Sequence, residues 1–266
     1  MFMQTAFKGV PCAVISAAQP HNLRVFKETL MKSVALFAAA LVSSLALAAG
    51  TLQDAQKQYA DGDFTGAATA AAALNTSDGF ALAAKANSIF ASTQPENKQE
   101  ALYSQSEKYA RSAVKLDDRN EDAYFEVARA LGRLSQLRGV LAALTQGLGG
   151  QIKDNLDKAL KIDPQFASAL VALGLWHAEI VGKGVAFLYG ADADKGINAF
   201  NRAIKLEPNV IIHRVEFARG MMLIDSGKYK ADAIKQLEVA VTLTPRDAAE
   251  KLDLERAKRD LAALKK

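Results

Sequence analysis

The sequence predicts an all-α protein, an α-solenoid of about five helix pairs with a C-terminal capping helix. Three observations lead there. One helix ending recurs four times, as Ala113-Val114-Lys115-Leu116-Asp117-Asp118, Ala159-Leu160-Lys161-Ile162-Asp163-Pro164, Ala203-Ile204-Lys205-Leu206-Glu207-Pro208 and Ala240-Val241-Thr242-Leu243-Thr244-Pro245. Each copy offers a small residue where helices cross closely, an apolar residue three positions on, and then a breaker. Proline suits that last role because it lacks an amide hydrogen and pushes the preceding residue out of the helical region. Between the endings, apolar residues recur at steps of three and four, the period of a helix with one buried face. Finally, 50% of the chain is apolar, alanine is abundant and prolines number only six, which favours helix over sheet.

Taken in order, the first helix runs from Thr51 to Tyr59 with Leu52, Ala55, Gln56 and Tyr59 along one face. Asp61-Gly62-Asp63-Phe64 ends it: Gly62 suits the positive φ of a C-cap, and Asp63 suits the start of the next helix. Ala67, Ala68, Ala71 and Leu74 form the small face of a second helix, followed by the polar break Asn75-Thr76-Ser77-Asp78. The third carries Phe80, Ala83, Ala84, Ala86, Asn87 and Phe90 and stops at Gln94-Pro95-Glu96-Asn97. The fourth sets Ala101, Leu102, Ser106, Tyr109, Ala110, Ala113 and Leu116 on its buried side. The fifth starts near Glu121 and uses Tyr124, Val127, Ala128, Leu131, Leu134 and Leu137. It has room to continue over Val140, Leu141 and Leu144 before Gly147-Leu148-Gly149-Gly150 breaks it.

Ile152, Leu156, Ala159 and Leu160 define the sixth helix, and Phe166, Ala169, Leu170, Leu173, Trp176 and Ile180 the seventh. The segment Gly182–Asp194 interrupts. Ile197, Phe200, Ala203 and Ile204 make the eighth helix. The ninth uses Val210, Val215, Phe217, Ala218, Met221 and Ile224 and ends at Ser226-Gly227-Lys228-Tyr229. Ile234, Leu237, Ala240 and Val241 form the tenth. A last helix, Asp247 to Leu264, is densely charged on one side with Leu252, Leu254, Ala257 and Leu261 apolar, as the end of a stack requires.

This pattern resembles the tetratricopeptide repeat (TPR) family, whose unit of about 34 residues is two antiparallel helices with small residues at the crossings and a proline near the end. Gly62-Asp63-Phe64 with Ala67, and Gly227-Lys228-Tyr229 with Ala233, look like its mid-repeat turn, and the Ala-x-x-Leu-x-Pro endings look like its terminus. The resemblance covers roughly residues 51–245 and departs in the longer middle units and in the missing proline after Leu116. It implies recognition of a peptide segment or a folded partner along a concave groove.

The surplus length of the middle units falls near Arg138–Gly150 and Gly182–Ala193. Equivalent loops of neighbouring repeats stand side by side, so two apolar insertions should share one edge: Val140-Leu141-Ala142-Ala143-Leu144 and Val185-Ala186-Phe187-Leu188-Tyr189. Long connections are often functional. The candidate partner-binding residues are therefore Arg138, Trp176, His177, Lys183, Phe187 and Tyr189, aromatic and cationic groups of the kind that anchor protein interfaces. The plainer expectation is that the insertions extend helices and bury one another. A pocket between them, holding a small ligand, is the second functional reading.

The formal net charge is +4, but Lys8, Arg24, Lys27 and Lys32 against Glu28 place most of that excess before Ala49. The body is near neutral, which argues against nucleic-acid binding. Met31-Lys32 followed by the apolar run Val34–Val42 and the small-residue ending Ala46-Leu47-Ala48 reads as a secretory signal peptide over residues 31–48. Residues 1–30 then read as an upstream extension outside the fold, and residues 49–266 as the solenoid domain. Export, a periplasmic location and no lasting membrane anchor after cleavage are the expectations. The single cysteine, Cys12, lies before the apolar run and leaves the body without thiol chemistry.

No catalytic constellation is evident. There is no His-Glu-x-x-His, and Gly182-Lys183-Gly184 lacks both the spacing and the preceding strand of a phosphate loop. His177 reads as a core or groove histidine and His213 as one at the surface or groove. No metal, no cofactor and no enzymatic activity are expected.

Overall fold

The computed structural model describes residues 50–266, and within them the elements are helices. The expected extension 1–30 and leader 31–48 lie outside the described residues. The helices are α1 (Leu52–Asp61), α2 (Phe64–Ala73), α3 (Ser77–Ser92), α4 (Glu96–Leu116), α5 (Glu121–Thr145), α6 (Leu148–Ile162), α7 (Ala167–Gly182), α8 (Ala186–Tyr189), α9 (Ala193–Leu206), α10 (Ile211–Ala240) and α11 (Ala248–Leu264). Two of them are bent by one non-helical residue, Gly139 in α5 (φ 80°) and Asp225 in α10 (φ −162°, ψ 101°). The pairs are therefore α1/α2, α3/α4, α5/α6, α7/α9 and the two arms of α10, with α8 inserted and α11 last. Each pair packs on its sequence neighbours, which is how an α-solenoid buries faces that no single pair could cover.

The helix starts follow their capping residues. The Thr51 hydroxyl accepts from Asp54 N at 3.1 Å while the Asp54 carboxylate accepts from Thr51 N at 2.8 Å, a reciprocal capping box. Gly62 ends α1 at φ 97°, a conformation open to glycine because it has no Cβ, and Asp63 accepts from Gly66 N at 2.8 Å. Asn120 caps α5 by accepting from Ala123 N at 3.0 Å, and its amide donates to Ser77 Oγ and Asp78 Oδ1, both at 2.9 Å. That one side chain starts a helix and ties the second pair to the third.

The recurring alanines Ala113, Ala159, Ala203 and Ala240 are all fully buried. The apolar residue three later behaves differently. Leu116, expected on a buried side, is 52% exposed, and Ile162 and Leu206 are open as well. The reason is local. The amides of Asp117, Asp163 and Glu207 bond back to the carbonyls of Ala113, Ala159 and Ala203 at 2.9–3.0 Å, and the chain leaves the helix there, so the intervening side chain overhangs the turn.

Two expected breaks are tighter than the glycines suggested. Only Gly147 (φ 63°) is non-helical in its cluster, and Leu148, Gly149 and Gly150 open α6 with Leu148 buried. The turn placed at Ser226–Tyr229 is a kink at Asp225, whose carboxylate accepts from Lys228 N at 2.9 Å and caps the second arm. The α7–α9 crossing depends on Gly174, where a methyl group would stand 2.9 Å from both Gly196 O and the Phe200 ring. Phe200 in turn stacks on Phe217 with ring centroids 4.8 Å apart.

The last helix does more than cap α10. Ala248 and Ala249 of α11 pack with Tyr59 and Phe64 of the first pair, and Ala248 Cβ lies 3.0 Å from where a Cβ on Gly62 would stand. The stack thus returns on itself around a central space.

Candidate functional site

That central space is a cavity of about 910 Å³ lined mainly by the first helix of each pair and by α11, with Tyr103 of α4, Ile152 of α6 and Tyr189 of α8 also at its wall. α5 contributes Asp122, Glu126, Arg129, Arg133 and Gln136, whose spacing of four and three puts them on one helical face. Its opposite face holds Val127, Leu131 and Leu134 in the core. Glu179 of α7, His213 and Glu216 of α10, and Asp253 and Arg256 of α11 complete the polar interior.

Glu216 is 5% exposed and sits among three guanidinium groups: Arg256 at 2.9 Å, Arg133 at 3.4 Å and Arg219 at 3.5 Å. Burial opposes its charge, yet Arg256, Arg133 and Arg219 together outweigh burial and hold the carboxyl down at about 2. Arg219 also reaches Glu179 at 2.6 Å, and Glu179 accepts from Gln136 at 3.2 Å and pairs with Lys183 at 3.0 Å. The network links α5, α7, α10 and α11 across the cavity.

Glu126, 2% exposed, has a poorer arrangement. Its Oε2 lies 2.5 Å from Arg129 Nη2, but the approach is not aligned for hydrogen bonding. Among the described residues, Glu126 Oε2, Arg129 Nε and Nη2, and the buried Ser88 Oγ have no hydrogen-bond partner. Burial pushes the Glu126 carboxyl up to about 7, against the pull of Arg129 and Lys85. Burial likewise lifts Asp253 to about 7 despite Arg256.

His213, expected at the surface or groove, is 1% exposed at the cavity wall. Its Nδ1 is 3.6 Å from the Glu207 carboxylate and its Nε2 3.5 Å from Ser168 Oγ. Burial, helped by Arg246, lowers it to about 4, so the ring is neutral near pH 7. Its position two residues inside α10 turns the imidazole toward Ser168 of α7, where the neighbouring pair covers it.

The residues singled out from the sequence are distributed as follows. Trp176 is buried and donates from Nε1 to Gly149 O at 2.8 Å, with Tyr189 edge-on at 6.3 Å between centroids. Tyr189 fits against Gly149, where an added Cβ would come 2.9 Å from its ring. His177 is buried and accepts at Nδ1 from Asp192 N at 3.1 Å; burial and then Lys153 lower its pKa. These three side chains fasten the second insertion and the start of α6 to α7. Lys183 turns to Glu179, and Arg138 pairs with Glu100 at 2.8 Å. Phe187 stands apart from the rest, 82% exposed. The structure therefore gathers Trp176, His177 and Tyr189, and leaves Arg138, Lys183 and Phe187 separate.

Sequence reasoning missed the charged interior. The signal was present in the spacing of Asp122, Glu126, Arg129, Arg133 and Gln136, which reads equally well as a solvated helix face. Among the described residues, no group of three or more His, Cys, Asp and Glu is placed to hold a metal ion, and no helix is long and apolar enough to cross a membrane.

Residues 51–265 match the family described as regulator of microtubule dynamics protein 1-3. The chain belongs to that family. No curated protein matches it. Among solved structures, this family member is similar to a thermophilic TPR protein of Thermus thermophilus, with 18% identity and a TM-score of 0.55 over 78% of this chain and 97% of that one. At that identity the likeness concerns the fold: a TPR-like helical repeat, the architecture that the endings and turns resemble.

Proposed function

We propose that this regulator of microtubule dynamics family member is an exported, non-catalytic interaction module that holds a polypeptide segment in its charged interior. TPR-like repeats commonly mediate protein interactions, and the reading needs only a polypeptide partner. The observation that carries it is the inward stripe on α5. Asp122, Glu126, Arg129, Arg133 and Gln136 offer two carboxylates, two guanidinium groups and an amide in succession along roughly 20 Å of one helix face. A stripe of that kind matches the repeated polar groups of an extended chain, and Glu126 Oε2 and Arg129 Nε and Nη2, though ion-paired, have no hydrogen-bond partner within the protein. The leader sequence supports export, and an exported module meets its partner outside the cytoplasm.

The experiment is site-specific photocrosslinking in intact cells. Probes at Ser88 and Leu175, which line the cavity, should capture the same segment of the same protein, whereas probes at the exposed Leu116 and Val239 should not. Equal labelling from all four positions, or none from the interior, defeats the reading.

One observation favours a small ligand instead. The return of α11 onto α1 deepens the cavity into a concave pocket, and pockets with a few unpaired polar groups suit small molecules. Native mass spectrometry decides between the two: a retained small molecule, lost when Glu126 is replaced by Ala, would displace the polypeptide reading.

A further inference from the structure

The two insertions are built alike, pinned on one side and bare on the other. In the second, Val185 and Tyr189 are one turn apart and pack toward Trp176, while Phe187 and Leu188 between them are 82% and 55% exposed. In the first, the chain bends at Gly139; Ala143 and Leu144 then face the cavity while Leu141 is 77% exposed. Phe187 and Leu141 are the two most exposed large apolar side chains among the described residues. Both insertions border the same cavity, and Tyr189 of one rests on Gly149 at the end of the other. The Trp176–Gly149 and His177–Asp192 hydrogen bonds anchor the chain just after each insertion.

Charge is distributed to match. No Asp or Glu occurs from Val127 to Lys153, or from Ile180 to Ala191, in a chain with 29 acids. The cations Arg138, Lys153 and Lys183 stand at the base of the insertions, held at 2.8, 2.7 and 3.0 Å by Glu100, Asp157 and Glu179. Apolar tips with basic groups behind them and no carboxylate between Gly139 and Gly150 or between Gly182 and Ala191 complement a phospholipid surface. The tips enter the headgroup–acyl boundary while the cations stay near the phosphates. A protein partner would call on larger aromatic anchors, and Trp176 and Tyr189 are already used inside.

We propose that this edge docks peripherally on a phospholipid bilayer, inserting Leu141, Phe187 and Leu188, with the cavity mouth turned toward the membrane. The proposal is independent of what the interior holds.

The test uses the full chain and vesicles of phosphatidylcholine, with and without phosphatidylserine, carrying brominated acyl chains. Phe187→Trp should be quenched strongly, whereas Leu116→Trp, on the turn edge, and the native buried Trp176 should not. Combined Leu141→Ser, Phe187→Ser and Leu188→Ser should weaken vesicle binding by at least about tenfold, because each buried side chain of this size is worth roughly a factor of ten. Helical signal and melting temperature should be unchanged, since all three side chains are exposed. Quenching at position 116 equal to that at 187, no quenching at all, or a triple variant that binds as well as the parent overturns the proposal. So does a switch from dimer to monomer in the triple variant, which would assign the edge to a second copy of this chain.

Discussion

Glu126 and Glu216 lie in the same cavity, are equally buried, and have opposite electrostatics. Three guanidinium groups from three helices surround Glu216 and hold it near 2; one misaligned guanidinium from its own helix leaves Glu126 near 7. Burial acts in the same direction on both, so partner number and geometry decide the outcome. The first glutamate named has a single guanidinium beside it, and its Oε2 and the Arg129 Nε and Nη2 atoms lack a hydrogen-bond partner. The second is a cross-brace of the stack.

The largest expected effect comes from breaking the brace. Glu216→Ala leaves Arg133 without a carboxylate partner and Arg219 and Arg256 with only Glu179 and Asp260, and should cost about 3–5 kcal/mol, read as a shift in the urea midpoint. The second effect is a pH dependence with opposite signs at the two sites. Glu126 is raised from 4.5 to about 7, so the folded state holds an extra proton in that window and stability falls as pH rises through it, by roughly 3 kcal/mol. Asp253 adds a contribution of the same sign. Glu216 is lowered, so its contribution is present above pH 4.5 and is lost as pH falls toward about 2. Glu126→Gln should flatten the upper slope without removing the Asp253 part, and should stabilise the protein at pH 8. A carboxyl NMR titration with both glutamates at ordinary values would erase the contrast.

A smaller effect is expected from Arg256→Met, which leaves two guanidinium groups on Glu216. It should cost about 1–3 kcal/mol and raise the Glu216 titration midpoint. The smallest is Arg111→Ala, which removes a half-exposed pair with Glu107 at 2.7 Å and should move stability by less than about 0.5 kcal/mol. If Arg111 mattered as much as Arg256, burial would not be what separates the interior from the surface.

Much of the fold was legible because its causes are local. Gly62 and Asp63 end one helix and start the next in the way their chemistry suggests, and the four alanines of the recurring ending are buried because only a small side chain fits those crossings. The breaks were less legible. Gly149 and Gly150 looked like chain-breakers and prove to be helical, with Gly149 giving its carbonyl to Trp176 and its bare Cα to Tyr189. Trp176 and His177 looked like partner anchors from their place near an insertion; their hydrogen bonds to Gly149 O and Asp192 N, which fasten that insertion, join residues far apart in the chain and were not legible there. The interior site was hidden because a charged stripe at helical spacing reads the same whether it faces solvent or a cavity.

Periodicity, capping residues and small-residue endings suffice to make this chain a run of paired helices stacked on their neighbours, since each of those signals acts within a turn or two of backbone. Which polar face looks inward, and that α11 comes round to touch α1, emerge only once the pairs are assembled. Both depend on the accumulated curvature of the whole stack, which no single repeat encodes, and on it depends whether a glutamate meets three guanidinium groups or one.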